Sequence, residues 1–379
     1  MDSGNLSAEG PDIGQPVEWL IPRDRSSFYL THDFHAYFAA YPPELVSRLL
    51  KKYSQEGETL LDPFMGGGTA IVEGFVGRRR TIGVDISPFS RLMASVKVRP
   101  QEVDEARLAE ILRTVGEDLA SHRAQGYRHF SYHIPPVTSI DRWFARDVQR
   151  DLAIILAHIR SVSDDDLRDF LLLGLSSILR KVSNAKNTEA HLCTKKGKKI
   201  PDAYGLFVKK ISLMASQRNQ YVAMLGDLAG YYTPRLLVQD VRRLREVVEP
   251  GSIDIVITSP PYGTGSRYTE INRLSFEWLE LEKPARSAAL ETARDFREGL
   301  KEALGEIYQA LDNRKYCFLV YGDPSTEGGL TRSAIEDAAQ IGFEYEGLIA
   351  CPIEKVAADH HEKYRRFIPK DFILILKKP

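Results

Sequence analysis

The segment from Thr59 to Asp85 limits the chain to few folds. A short apolar strand, Thr59-Leu60-Leu61, is predicted to end at Asp62, and Pro63-Phe64-Met65-Gly66-Gly67-Gly68-Thr69 follows. A helix is then expected through Ala70–Val76, and after Arg78-Arg79-Arg80 a second strand, Thr81–Val84, closes on Asp85. Short apolar runs between glycines and acids read as buried strands. This is a β-loop-α-β unit with an acidic residue closing each strand. Glycines at a strand's carboxyl end allow positive φ and let a ligand approach the backbone closely. The free N–H groups of the following helix point at the same place.

The rest of the chain extends this alternation and interrupts it once. A helix is expected over 41–54, where two prolines precede apolar residues at helical spacing. Residues 101–235 instead carry helical patterns at 104–120, 147–161, 164–182 and 205–228, with few strand signals. Strands return at 236–238, 253–258, 316–320, 345–351 and 371–377, with helices expected at 271–282, 286–311 and 331–340. The fold class is therefore α/β: a doubly wound, Rossmann-like sheet with a mainly helical insert. The expected organisation is a disordered lead-in over 1–25, a sheet domain from 26–100 and 236–379, and the insert at 101–235.

Composition narrows the setting. No stretch of the 379 residues approaches the ~20 apolar residues that span a bilayer. The opening MDSGNLSAEGPDIGQP is polar and acidic, unlike a signal peptide. Cys193, Cys317 and Cys351 lack metal-type spacing, so a reduced, cytoplasmic setting is expected. His32 and His35 stand three apart without an evident third ligand, so no metal is expected. Net charge is −1, but Ile178–Arg218 holds ten Lys/Arg against two acids, Glu189 and Asp202. That segment reads either as a phosphate-facing surface or as a solvated loop.

Two motifs carry chemistry. The glycine loop is neither G-x-G-x-x-G nor a P-loop, and the acid after the second strand can accept two ribose hydroxyls. Downstream, Ser259-Pro260-Pro261-Tyr262 follows the apolar strand 253–258, which delivers it to the same sheet edge. An exocyclic base amine is a poor nucleophile because its lone pair is delocalised into the ring. The Ser259 hydroxyl and Pro260 carbonyl are acceptors for its N–H groups. Consecutive prolines stiffen the turn and remove competing donors, and Tyr262 offers a stacking face for an extruded base. A plain proline turn is the bland alternative.

Together, Asp62-Pro63-Phe64 with its glycines and Ser259-Pro260-Pro261-Tyr262 resemble the motifs of the DNA amino-methyltransferases, most closely those acting on N4 of cytosine. The resemblance covers roughly 31–100 and 236–379. It implies S-adenosylmethionine as cofactor, with S-adenosylhomocysteine as product. It implies that Asp62, Pro63, Phe64, Gly66, Gly68 and Thr69 line the cofactor pocket, that Asp85 holds the ribose and that Asp240 meets the adenine amine. Asp240 also reads as a helix N-cap. The segment Thr31–Pro43 is similar to the family's covering segment, which adds His35 and Tyr37. Serine before Pro-Pro-Tyr is typical of N4-cytosine enzymes, although some such enzymes methylate adenine N6. No cysteine follows a proline, which argues against C5 methylation.

The implied activity is site-specific methylation of double-stranded DNA by base flipping and direct transfer, in a restriction–modification system. A separately encoded cognate endonuclease is the expected partner. No membrane partner is expected, the chain is expected as a monomer or homodimer, and the setting is cytoplasmic and nucleoid-associated through DNA. Adenine N6 methylation, an RNA amino-methyltransferase and an inactive DNA-binding regulator are the alternatives. Lys186, Asn187, Lys195, Lys196, Lys198, Lys199 and Arg267 are the expected DNA contacts. Gly263–Tyr268 reads as a lid over the base, Asp323 as a supporting or turn residue, and Trp143-Phe144 as core or as a stacking pair.

Overall fold

The computed structural model describes residues 15–21, 29–37, 40–187, 192–230, 232–261, 268–285, 293–322, 329–352 and 370–379. Eight strands form one sheet: β1 (Val17–Glu18), β2 (Thr59–Asp62), β3 (Arg80–Asp85), β4 (Arg235–Val238), β5 (Ile253–Thr258), β6 (Leu311–Gly322), β7 (Glu344–Pro352) and β8 (Lys370–Lys377). Their order is β1-β7-β8-β6-β5-β2-β3-β4. All neighbours pair parallel except across β8, which runs antiparallel to both β6 and β7. From β2 the chain first winds outward through β3 and β4, then returns to β2's other side with β5. The sheet therefore reverses between β2 and β5, where open α/β sheets bind ligands.

Strand periodicity explains why both faces are covered. On one face α1 (Pro43–Tyr53) presents Leu45, Val46, Leu49 and Leu50 to Leu60, Ile255, Ile257 and Phe318. On the other, α11 (Ala293–Ala310) and α12 (Gly329–Ile341) cover Leu61, Val256, Leu319 and Leu374. Leu60 and Leu61 thus enter opposite cores, as alternation in a strand requires. The remaining elements near the strand ends are α2 (Thr69–Val76), α3 (Pro88–Val98), α9 (Tyr268–Ile271) and α10 (Arg273–Leu279).

The expected helices of the insert are present as α4 (Glu105–Ala124), α6 (Arg146–Arg160), α7 (Asp165–Ile178) and α8 (Ala203–Leu225), with a short α5 (Ile140–Trp143) between the first two. They do not form a core of their own. Their apolar faces share one cluster with Phe89, Met93 and Val96 of α3 and with Leu274, Phe276 and Trp278 of α10. Trp143 and Phe144 are buried in that cluster.

Three elements differ from expectation. The lead-in is not wholly without structure, because Val17–Glu18 pairs with Ile349–Ala350. Helix α3 was not anticipated, although Ser87 caps it by accepting from Ser90 N at 3.2 Å and Pro88 starts it. The expected helix over 271–282 is two short pieces, α9 and α10.

Candidate active site

A cavity opens at the reversal point of the sheet. The glycine loop contributes Pro63, Phe64, Met65, Gly66, Gly67 and Thr69, and the turn after β3 contributes Asp85, Ile86, Ser87 and Ser90. Gln239, Asp240 and Val241 enter after β4, and Ser259 and Pro261 after β5. Tyr37, Ala40 and Tyr41 cover one side; Tyr268, Thr269, Asn272 and Phe276 close another. Phe64 and Pro261, separated by about half of the chain, therefore face one cavity.

The loop conformation depends on its glycines. Gly66 and Gly68 adopt φ of +45° and +80°. A Cβ on Gly66 would lie 2.7 Å from Cε1 of Tyr37, and one on Gly68 would lie 2.9 Å from Cα of Ala94. Tyr37 thus seals the loop from above while α3 supports it from below. Gly66 N donates to Asp85 Oδ2 at 2.9 Å, and Ser87 N to Asp85 Oδ1 at 2.9 Å. Burial pushes the Asp85 carboxyl up to about 6, against the pull of those backbone donors. A cation or hydroxyl-rich ligand in the cavity would therefore meet a half-buried carboxylate with lone pairs to spare.

Asp62 occupies a different position from the one expected. It is buried beneath the cavity instead of on its wall, since Thr258 Oγ1 donates to its Oδ1 at 2.6 Å and Tyr41 OH to its Oδ2 at 3.2 Å. Phe64 N also donates to Oδ1, at 3.2 Å. These bonds join β2, β5 and the covering segment. Burial dominates its titration and pushes the carboxyl up to about 7 despite three donors.

The other expected residues divide as follows. Tyr37, Pro63, Phe64, Gly66, Thr69, Asp85, Asp240, Ser259 and Pro261 line the cavity. Pro260 is buried beside them. Tyr262 and Arg267, like most of the expected lid and Asp323, lie outside the described residues. Gly68 turns the loop from behind the wall. His35 points away, because its Nε2 lies 3.0 Å from Ser176 Oγ on α7 and its ring packs edge-on against Phe89. Asp240 combines two structural roles. It lines the cavity, and it caps a short 3-10 turn by accepting from Arg242 N at 3.0 Å while pairing with the Arg242 guanidinium.

Tyr41, Ser87, Ser90, Gln239, Tyr268, Asn272 and Phe276 join the wall without having been singled out as site residues. Tyr41 lies in the expected covering segment and Tyr268 ends the expected lid, while Ser87 precedes the proline that starts α3. Tyr268 stacks on Tyr37 with ring centroids 6.0 Å apart. Of the two histidines, His32 lies 2.9 Å from buried Glu73, which also accepts from Tyr29 OH at 2.6 Å, so this end of the covering segment is tied to α2. Among the described residues no cluster of three or more His, Cys, Asp or Glu has the geometry of a metal site.

The basic segment divides too. Ala185 bridges to Thr194, and Lys186 N and Lys195 N bond across the same two-stranded turn. Asn187, Lys195, Lys196 and Lys199 are exposed and Lys186 is half-buried. Lys198 has another function. Its Nζ donates to the carbonyls of Arg180, Ser183 and Ala185 at 2.6, 2.8 and 2.8 Å and to Asn187 Oδ1 at 3.0 Å. It clamps the turn below α7, so its ammonium is committed to the protein itself and not to a phosphate.

A mostly parallel sheet with one reversed strand, a glycine loop at its reversal and an acid ending the next strand make up the Rossmann-like fold of the S-adenosylmethionine-dependent methyltransferases. Residues 16–94 match the family model described as DNA methylase. The Type II methyltransferase M.MvaI of Kocuria varians is 30% identical over 266 residues, covering 66% of this chain and 58% of that protein. Type II methyltransferase M.MjaII of Methanocaldococcus jannaschii is 41% identical over 106 residues, or 26% of this chain and 19% of that one. Among solved structures, the rRNA methyltransferase aviRa from Streptomyces viridochromogenes aligns over 94% of both chains at a TM-score of 0.40 and 12% identity. The sequence matches support a DNA amino-methyltransferase family for the region they cover, and the chain spans 58% of the first relative's length. Among the described residues no helix is long and apolar enough to cross a membrane.

Proposed function

We propose that the chain transfers a methyl group from S-adenosylmethionine to N4 of cytosine in double-stranded DNA, at a specific sequence and on a flipped-out base. The observation carrying this reading is the single cavity shared by the glycine loop, Asp85 and Ser259-Pro261. The wall suits the cofactor chemically: a glycine cradle, a half-buried carboxylate for ribose hydroxyls, a second acid at Asp240 and aromatic faces. When bound there, S-adenosylmethionine supplies a methyl group on an electrophilic sulfonium.

In this reading the protein's own residues do the rest. Ser259 Oγ and the Pro260 carbonyl accept the amine's two N–H bonds. That localises the nitrogen lone pair and aims it along the transfer axis, a gain from orientation. Tyr262 holds the ring by stacking. The same two acceptors would guide the proton that the nitrogen must lose on methylation out to water. No covalent enzyme adduct is needed. Lys186, Asn187, Lys195, Lys196 and Lys199 supply the DNA surface, joined by Arg267, which follows Ser259–Tyr262 in sequence. Fusion of the helical region onto α3 and α10 supports its role in target recognition. A separately encoded endonuclease completes a restriction–modification pair, which operates in the cytoplasm on nucleoid DNA.

Nucleoside mass spectrometry of DNA from a host expressing the chain tests this directly. N4-methylcytosine is expected. N6-methyladenine would overturn the choice of base while keeping the chemistry, and unmodified DNA with methylated RNA would overturn the choice of polymer.

A further inference from the structure

Lys97 lies in the last turn of α3 and is only 3% exposed. Its Nζ donates to the Gly67 carbonyl at 3.0 Å and, over a longer 3.5 Å, to the His35 carbonyl. Gly67 belongs to the cavity wall, and a Cβ placed on it would lie 2.9 Å from Cβ of Tyr37. One ammonium thus ties the glycine loop to the segment that covers it.

The surroundings of this cation are unusual. Buried charges normally have a partner of opposite sign. Among the described residues no carboxylate lies within ion-pair distance of Lys97. The groups facing it are Lys210 of α8, Asp33 of the 3-10 turn, and the imidazoles of His32 and His35. Asp33 is exposed and bonded by Gln217 Nε2 at 3.0 Å, and Lys210 donates to the Asp33 carbonyl at 3.0 Å. Burial, then Lys210, pushes the Lys97 ammonium down to about 7. A methionine would fill this volume without the cost of desolvating a charge. The two carbonyls that the charge holds are what the lysine adds, and charged donors bond about twice as strongly as neutral ones.

We propose that Lys97 is a positioning residue for the cofactor, whose protonated form grips the Gly67 and His35 carbonyls and so holds the covering segment over the glycine loop. This rests on the reading that the cavity binds S-adenosylmethionine.

Calorimetric titration of S-adenosylmethionine into the full chain, from about pH 6 to about pH 9, tests it. The ligand's own α-amino group titrates near 8, so the difference between wild type and Lys97→Met carries the signal. Lys97→Met is expected to bind about tenfold more weakly at the acidic end, which is the loss of one charged bond, with kcat retained at saturating cofactor. The gap should close as pH rises and wild-type Lys97 loses its proton. Lys97→Arg, always charged, should keep its affinity at the alkaline end. A folded Lys97→Met variant with wild-type affinity and pH profile would overturn the proposal alone. Failure of wild type to bind the cofactor would overturn it together with the reading of the cavity. If Lys97→Met does not fold, a wild-type profile that parallels that of Lys97→Arg would overturn it.

Discussion

Thr258 Oγ1 donates to Asp62 Oδ1 at 2.6 Å, joining the last residue of β5 to the last residue of β2 across 196 positions of sequence. Each of these residues immediately precedes a motif segment: Asp62 the glycine loop, Thr258 the Ser259-Pro-Pro turn. The bond sets the distance between the two walls of the cavity at its base.

Removing that hydroxyl should therefore loosen the base of the cavity. Thr258→Val keeps the shape but leaves a buried carboxylate oxygen short of a donor, at a cost of about 1–3 kcal/mol. The midpoint of urea denaturation should fall accordingly, and an unchanged midpoint would mean the bond adds nothing.

Asp62 also predicts how stability varies with pH. Its carboxyl is raised to about 7 in the folded chain, so the folded state binds more protons than the unfolded one between about pH 4 and 7. Its contribution is fully present below the unfolded value and is lost as pH rises through the folded one. Each pKa unit corresponds to about 1.4 kcal/mol. Asp62→Asn, which does not ionise, should flatten the decline between mildly acidic and neutral pH, as measured by thermal melts across that range.

Asp85 should act on the ligand. Asp85→Ala is expected to weaken S-adenosylmethionine binding by about 10–100-fold, the value of one or two charged hydrogen bonds. In wild type, affinity should also fall as pH drops below about 6, where the raised carboxyl takes up its proton. Calorimetry that finds acid-independent binding would remove Asp85 from the groups that hold the ligand.

Ser259→Ala should separate binding from chemistry. Cofactor affinity is expected to stay within about twofold while methyl transfer falls about 10²–10³-fold, as when one preorganised hydrogen bond is lost. Filter-binding assays with a tritiated methyl donor measure the second quantity, and parallel losses in both would misplace the residue.

The lysines of the basic turn should not behave alike. Replacing exposed Lys195, Lys196 and Lys199 with glutamine should reduce the salt slope of DNA binding by roughly 0.9 for each phosphate no longer neutralised. Lys198→Gln should leave that slope intact and instead destabilise the turn whose carbonyls it holds. Equal slopes for all four single variants would contradict this division.

Much of this site was legible from local pattern. The apolar runs before Asp62, Asp85 and Ser259 each announce a strand end. Sequence order and the single β-α-β unit then imply that those ends meet on one edge. Glycine at positive φ and the double proline are also local properties of the backbone. Residues whose roles depend on distant partners were not legible. His35 resembles a pocket residue in its own segment, yet α7 supplies Ser176 and turns it away. Lys198 resembles its exposed neighbours, yet the end of α7 presents carbonyls to it.

The amino-acid order alone therefore determined the strand–loop–helix grammar, the glycine cradle and the chemistry available at Ser259, because hydrogen-bond period and backbone freedom act between near neighbours. Only the tertiary structure decided that Asp62 lies beneath the cavity and not on its wall, that the helical region shares its core with α3 and α10, and that Lys97 joins loop to cover. Those outcomes depend on which buried polar group finds which partner, and packing selects that partner from anywhere in the chain.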